Sequence, residues 1–203
     1  MKVHKFDFNG TKQENCGIKF GGGAFLQGEW PKNPAGKDLS LLFTIDTDKL
    51  NSKVSDLNLP SNKFISVFST YDENDYFLDD VSFSGDPLEL EDIEGYTKVT
   101  ISDQSSIQNN SNAFDSKDVN LVETEISDDD FPAFSLISDQ IPNGLSGSEI
   151  FNDEYRFICQ VYSMDLPPYD GSALYLSDAI GYLFLKKNIV DNNDAGFFFV
   201  QSA

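Results

Sequence analysis

The chain is poor in the residues on which most enzymes and metal sites depend. Its 203 residues include one histidine, His4, two cysteines, Cys16 and Cys159, and one tryptophan, Trp30. Nucleophilic centres of the Ser–His–Asp or Cys–His type need a histidine base, so any such centre would have to recruit His4. A structural zinc site takes four Cys or His ligands, and the three present are scattered along the chain. Two distant cysteines make no disulfide framework and fit a reducing compartment with two free thiols. Cys159 lies in an apolar stretch, where a thiol is an inert small hydrophobe rather than a nucleophile. Long hydrophobic runs are missing as well. No window approaches the ~18 apolar residues of a membrane span, and the start, MKVHKFDFNG, lacks the apolar stretch of a signal peptide. The expectation is a cytoplasmic protein that uses no cofactor and no metal.

Basic residues are scarce where acidic ones are dense. The net charge is -20. Residues 1–70 hold 9 Lys against 7 Asp and Glu, whereas residues 71–155 hold 2 Lys against 22 Asp and Glu, so the middle alone carries -20. Nucleic acid is excluded as a partner of that segment, because phosphate binding needs Lys and Arg to displace counterions. Anionic membrane surfaces are excluded on the same ground. A basic protein partner fits; a solvated face that promotes solubility is the plain alternative.

Glycine-rich motifs fail on their neighbours. In KFGGGAFLQGEWP, residues 19–31, a phosphate loop would need Gly-Lys-Ser/Thr at its end, and none occurs in the chain. A dinucleotide fingerprint needs a third glycine, where Leu26 stands. The glycines are therefore expected to supply backbone angles and close approach, with Trp30 packed. DNNDAG, 191–196, places Ala195 and Ser202 where a calcium loop needs an oxygen ligand and a bidentate Glu. Carboxylates are abundant, but nothing in the sequence singles out a catalytic pair.

Aromatic and β-branched residues are plentiful, with 18 Phe. Strands are expected at 39–46, 63–69, 96–102, 119–126, 155–163, 180–187 and 196–200. Within 155–163, Tyr155, Phe157, Cys159 and Val161 alternate with Arg156, Ile158, Gln160 and Tyr162, which predicts a regular strand. Helical signals are short, at 46–53 and 147–155. Loops are expected at 102–118 and 138–148, which are rich in Ser, Asn, Asp and Gly. A loose internal echo links 39–75 with 155–194: a buried strand, a Pro-containing turn, a second apolar strand, then an Asp- or Asn-rich tail. These features predict one mainly β domain over 1–203, roll-like or α+β with few short helices and antiparallel sheets. Two similar halves, about 15–85 and 150–203, would be joined by an acidic middle at 86–149.

Several of these residues resemble the YwqG-like family, bacterial proteins of unknown function. Phe20, Gly21, Gly22, Leu26, Trp30 and Pro31 match its opening motif, with Ala24 and Gln27 where two prolines usually stand. Ile45-Asp46 close a buried strand, with Thr44 in place of glutamine, and Leu59-Pro60 follow. Gln160, Asp178 and Gly181 match near the end, with Leu176-Ser177 replacing Trp-Gly. The resemblance covers about 15–85 and 150–203. It implies a mainly β fold of two similar halves and no catalytic residue. Some relatives look like components of toxin–immunity loci, which implies a non-enzymatic immunity protein for a basic toxin such as a nuclease. The residues expected to meet it are Asp79, Asp80, Glu89, Glu91, Asp92, Glu94, Glu123, Glu125, Asp128, Asp129 and Asp130, with Tyr71, Tyr76, Phe114 and Phe131 as anchors. A structural or small-ligand-binding domain is the alternative, and a carboxylate-using enzyme a more distant one.

Overall fold

The computed structural model describes residues 1–9, 15–72, 76–103, 107–110, 114–151, 153–166 and 179–202. Leu176, Ser177 and Asp178, parts of the acidic tail at 72–80 and parts of the expected 102–118 loop lie outside the described residues.

The first half contributes β1 (Lys2–Asp7), β2 (Ile18–Phe20), β3 (Ala24–Phe25), β4 (Ser40–Asp46), α1 (Thr47–Lys53), β5 (Phe64–Ser69), α2 (Glu89–Ile93) and β6 (Thr97–Ser102). The rest contributes β7 (Ile107–Gln108), β8 (Lys117–Asp118), β9 (Asn120–Glu125), β10 (Leu136–Ile137), β11 (Tyr155–Tyr162), β12 (Ala179–Lys186) and β13 (Gly196–Ser202). Eleven strands form one sheet in the order β8-β2-β4-β5-β6-β13-β12-β11-β10-β1-β9, while β3 and β7 pair separately. Neighbouring strands of both sheets run antiparallel.

The order reads the same way inward from both sides. β2-β4-β5-β6 and β10-β11-β12-β13 are two antiparallel meanders that meet at β6 and β13. The likeness extends to detail. β4 breaks register between Leu41 and Phe43, and β11 breaks it between Phe157 and Cys159. The breaks fall just before Thr44 and Gln160, and each strand runs straight into a helical turn, α1 or Ser163–Asp165. A bulge sharpens local twist and bends the strand, which is what a sheet needs to curl. It also corrects the regular alternation expected for 155–163. Phe157 joins an outer cluster, whereas Ile158, Cys159 and Val161 all join the inner one.

The sheet is nearly closed into a barrel. Its two edge strands, β8 and β9, are separated only by Val119, which is buried in the interior cluster. β8 pairs with β2 on one side, and β9 pairs with β1 on the other. The residues between β4 and β5 plug one end with Leu50, Val54, Leu57 and Leu59, while Phe77 and Val81 reach the same cluster from the segment after β5. Arg156 ties the plug to β11 by donating to the carbonyls of Leu57 and Asn58, at 2.9 and 3.0 Å.

Both faces of β12 and β13 are covered, which is why IGYLFL and FFFV read as continuous apolar runs. Leu183, Leu185, Phe198 and Val200 point into the barrel; Tyr182, Phe184, Phe197 and Phe199 point outward into a second cluster. A third, smaller cluster lies outside β4 and β5, where Trp30 stands edge-on to Phe68 at 5.3 Å and donates to the Leu39 carbonyl. The glycine run serves this layer. Gly21 and Gly22 adopt φ of 59° and 76°, and a Cβ on Gly23 would lie 2.1 Å from Ile107 Cγ2, so the triplet turns the chain and lets β3 touch β7.

The two meanders join narrowly. β6 and β13 register only at Gly196 opposite Val99. The segment after β5 occupies the space beyond it: Val200 donates to Val81 and Phe83 donates to Val200, both at 2.9 Å. At the junction a Cβ on Gly196 would sit 2.1 Å from the Phe184 carbonyl oxygen and 3.0 Å from Leu185 Cα. Backbone must move to admit it. Gly196→Ala is expected to destabilise the protein by about 2 kcal/mol or more, read as a lower urea midpoint.

Candidate binding surface

The outer cluster on β11–β13 is covered by two stretches of the acidic middle. Residues 79–95 bring Phe83 and Ile93; residues 126–154 bring Leu145 and Phe151. Phe151 stacks on Phe184 and Phe199 at 4.4 and 5.3 Å, and Phe83 meets Phe151 edge-on at 5.8 Å. The two stretches touch through backbone, since a Cβ on Gly147 would fall 2.8 Å from Gly85 Cα. They hold 14 Asp and Glu and no Lys or Arg. The acidic middle also builds the sheet: its other parts supply β6, β8 and β9, and the 126–154 stretch itself supplies β10.

The expected site residues divide by their occupation. Glu89 accepts from the Ser84 amide and hydroxyl at 2.6 and 2.7 Å. Asp130 accepts from the Ser127 amide at 2.8 Å, and Asp128 lies 3.1 Å from the Met1 ammonium. Glu123 pairs with Lys2 at 2.7 Å on edge strand β9, where Glu125 also stands opposite Lys2. Asp79, Asp80, Glu91, Asp92 and Asp129 have no side-chain hydrogen bond or ion pair among the described residues. Glu94 acts on Lys186 at longer range. Glu89, Glu91 and Asp92 fall in the first turn of α2, where the backbone amides favour negative charge.

The aromatic residues divide as well. Tyr71 packs edge-on against Phe77 and Phe114, at 5.6 and 5.2 Å, and both Tyr71 and Phe114 lean on the barrel interior. Their contacts assign them packing roles. Tyr76 and Phe131 stand out in solvent at 74% and 71% exposure. Leu88, 75% exposed just before α2, is a further apolar group in solvent that is not among the expected anchors. Its signal in the sequence is a leucine directly after Asp86-Pro87, at the start of an acidic turn.

Tyr76, Asp79 and Glu89 are brought to one cleft of about 820 Å³. Val200 and Ala179 of the sheet lie at it, with the hydroxyls of Ser82, Ser84, Ser146 and Ser202 around them. The cleft opens where the 81–83 segment lies along β13.

His4 is half-buried; burial lowers its pKa, and Glu123, 4.0 Å away, partly offsets this. Burial raises the pKa of both thiols, far more for Cys159 than for Cys16, whose Sγ donates to the Val119 carbonyl at 3.0 Å. No group of three His, Cys, Asp or Glu among the described residues is arranged to hold a metal. In the 191–196 stretch, the Asp191 carboxylate instead accepts from the Asn193 amide, and Asp194 pairs with Lys186. No helix among the described residues is long and apolar enough to cross a membrane.

Comparison with protein-family models gives no match, and comparison with curated proteins gives none either.

Buried thiols with raised pKa should be unreactive. Native protein at pH 8 is expected to give almost no Ellman reaction within minutes, and about two equivalents in guanidinium chloride; fast native labelling would mark an accessible thiolate instead.

Proposed function

We propose that this chain is a cytoplasmic, non-enzymatic protein-binding protein, most concretely an immunity protein that neutralises a basic bacterial toxin such as a nuclease. One observation carries the reading. Two stretches laid side by side hold 14 carboxylates and no basic residue, and Tyr76, Leu88 and Phe131 project there or at their border. Lys32, Lys37 and Lys49 are paired away from these stretches, with Asp38, Asp72 and Asp46. A field of one sign raises the encounter rate with an oppositely charged partner. Exposed apolar anchors at its centre would set residence time. A standard interface takes about 800 Å² per partner, which a layer of this length can supply.

The resemblance to the YwqG-like family supports the same class, since some relatives look like parts of toxin–immunity loci. The cleft beside β13 favours a second reading, a small-ligand-binding domain, because its volume lies in the range of ligand pockets.

The test pairs the protein with the product of the adjacent gene. Association should slow at least tenfold between 25 and 300 mM NaCl. Glu91→Gln with Asp92→Asn should slow association, and Leu88→Ala should speed dissociation. Absence of binding and of protection at 25 mM NaCl would overturn the proposal.

A further inference from the structure

We propose that the cleft between β13 and the 76–89 segment is a binding site for a guanidinium or alkylammonium group. Its polar wall offers acceptors and no cation. Asp79 is exposed and has no partner among the described residues, and the Glu89 carboxylate holds only the two hydrogen bonds from Ser84. A carboxylate oxygen accepts two hydrogen bonds readily, so each retains capacity for a donor-rich ligand. The hydroxyls of Ser82 and Ser202 are not engaged by other side chains among the described residues. Ser146 and Gln201 hold one another through the Ser146 amide and carbonyl, at 3.1 and 3.0 Å, which fixes the rim.

The apolar part of the wall suits the stem of such a ligand. Phe83, Leu78, Ala179 and Val200 lie beside these acceptors. Tyr76, exposed at the cleft, offers a ring face to a planar cation. A guanidinium brings five N–H donors and no acceptor, matching a wall of this kind better than any anion or neutral sugar would. The surrounding stretches, with 14 carboxylates and no basic residue, deepen the negative potential there, and a cleft concentrates it. The location has a structural origin: the meanders touch at Gly196 and Val99, and the inserted 81–83 segment leaves the cavity beside Val200.

The cation could be a free small molecule or an arginine side chain of the basic partner. The second source rests on the protein-binding reading above; the first does not. Binding of N-acetyl-arginine amide is measured by calorimetry in 25 mM NaCl, against N-acetyl-citrulline amide, which has nearly the same shape and no charge. A Gly-Ser nonapeptide carrying one central arginine forms the second arm. Saturable binding is expected for at least one arginine probe, at least tenfold weaker for the citrulline analogue and for Asp79→Asn. A tenfold gain with the peptide would assign the site to a partner's side chain, and equal affinity would assign it to a free cation. Asp79 is exposed, so Asp79→Asn should fold normally, which a circular dichroism melt verifies; Glu89→Gln is avoided because it would release Ser84. The proposal is overturned if neither probe saturates, if citrulline binds as well as arginine, or if Asp79→Asn leaves affinity unchanged. Loss of the cleft in this way, with capture of a basic partner intact, would leave the surface reading standing.

Discussion

The fold depends on one short stretch, 117–125, that serves both edges of the same sheet. β8 pairs with β2, β9 pairs with β1, and Val119 between them is sealed in the interior. An open sheet of this size would expose two rows of unpaired backbone groups. Bringing the edges together in one strand-like run gives β2 and β1 each a partner and makes an inside. Once there is an inside, the two bulged strands, β4 and β11, can curl their meanders around a common core. What remains of the edge, on β9, carries Glu123 and Glu125, charges that discourage pairing with another copy of the same edge.

Closure also decides where function can reside. A curled sheet uses its inner face for the core, so only outer faces can carry recognition. The outside of β4 and β5 has a small cover around Trp30, and its lysines are paired with nearby carboxylates. The outside of β11–β13 has a broad aromatic cluster, and the segments that bury it bring 14 carboxylates and no Lys or Arg. Aromatic burial holds these segments down despite their mutual repulsion. Full truncation of one such buried Phe costs about 3–5 kcal/mol in typical cores, well above the cost of a few exposed like charges.

Much of the framework was legible because burial on two faces writes long apolar runs. LLFTID, FISVFS, IGYLFL and GFFFV all became strands at nearly the expected bounds. The helical turn after Asp46 was readable too, and its Asp46 side chain caps α1 by accepting from the Lys49 amide. The short strands were not. β2, β8 and β10 have two or three residues each, too few for any period to show, and each exists because a neighbouring edge needs a partner. The bulge in β11 was hidden because Phe157, Ile158 and Cys159 are all apolar, so the pattern cannot reveal which of them faces which cluster. Among site residues, acidic density was plain, but solvent exposure was not. Tyr71 and Tyr76 look alike in the sequence, yet one packs on Phe77 and Phe114 and the other stands in solvent. Nor did the sequence indicate that Asp79 and Glu89 meet at one cleft, because the inserted 81–83 segment that creates it is a tertiary event.

The central claim is that the unpaired carboxylates of the outer layer serve recognition and not the fold. The most direct measurement is the melting temperature, in 25 mM NaCl at pH 7, of a variant with Asp80→Asn, Glu91→Gln, Asp92→Asn and Asp129→Asn together. Charges without counter-ions repel one another, so removing them relieves the compact state, at the cost of any function they serve. The account predicts a melting temperature equal to or above that of the unaltered protein, with the difference shrinking in 300 mM NaCl as screening takes over. A melting temperature lowered by several degrees and insensitive to salt would contradict it, because these carboxylates would then be part of what holds the layer in place.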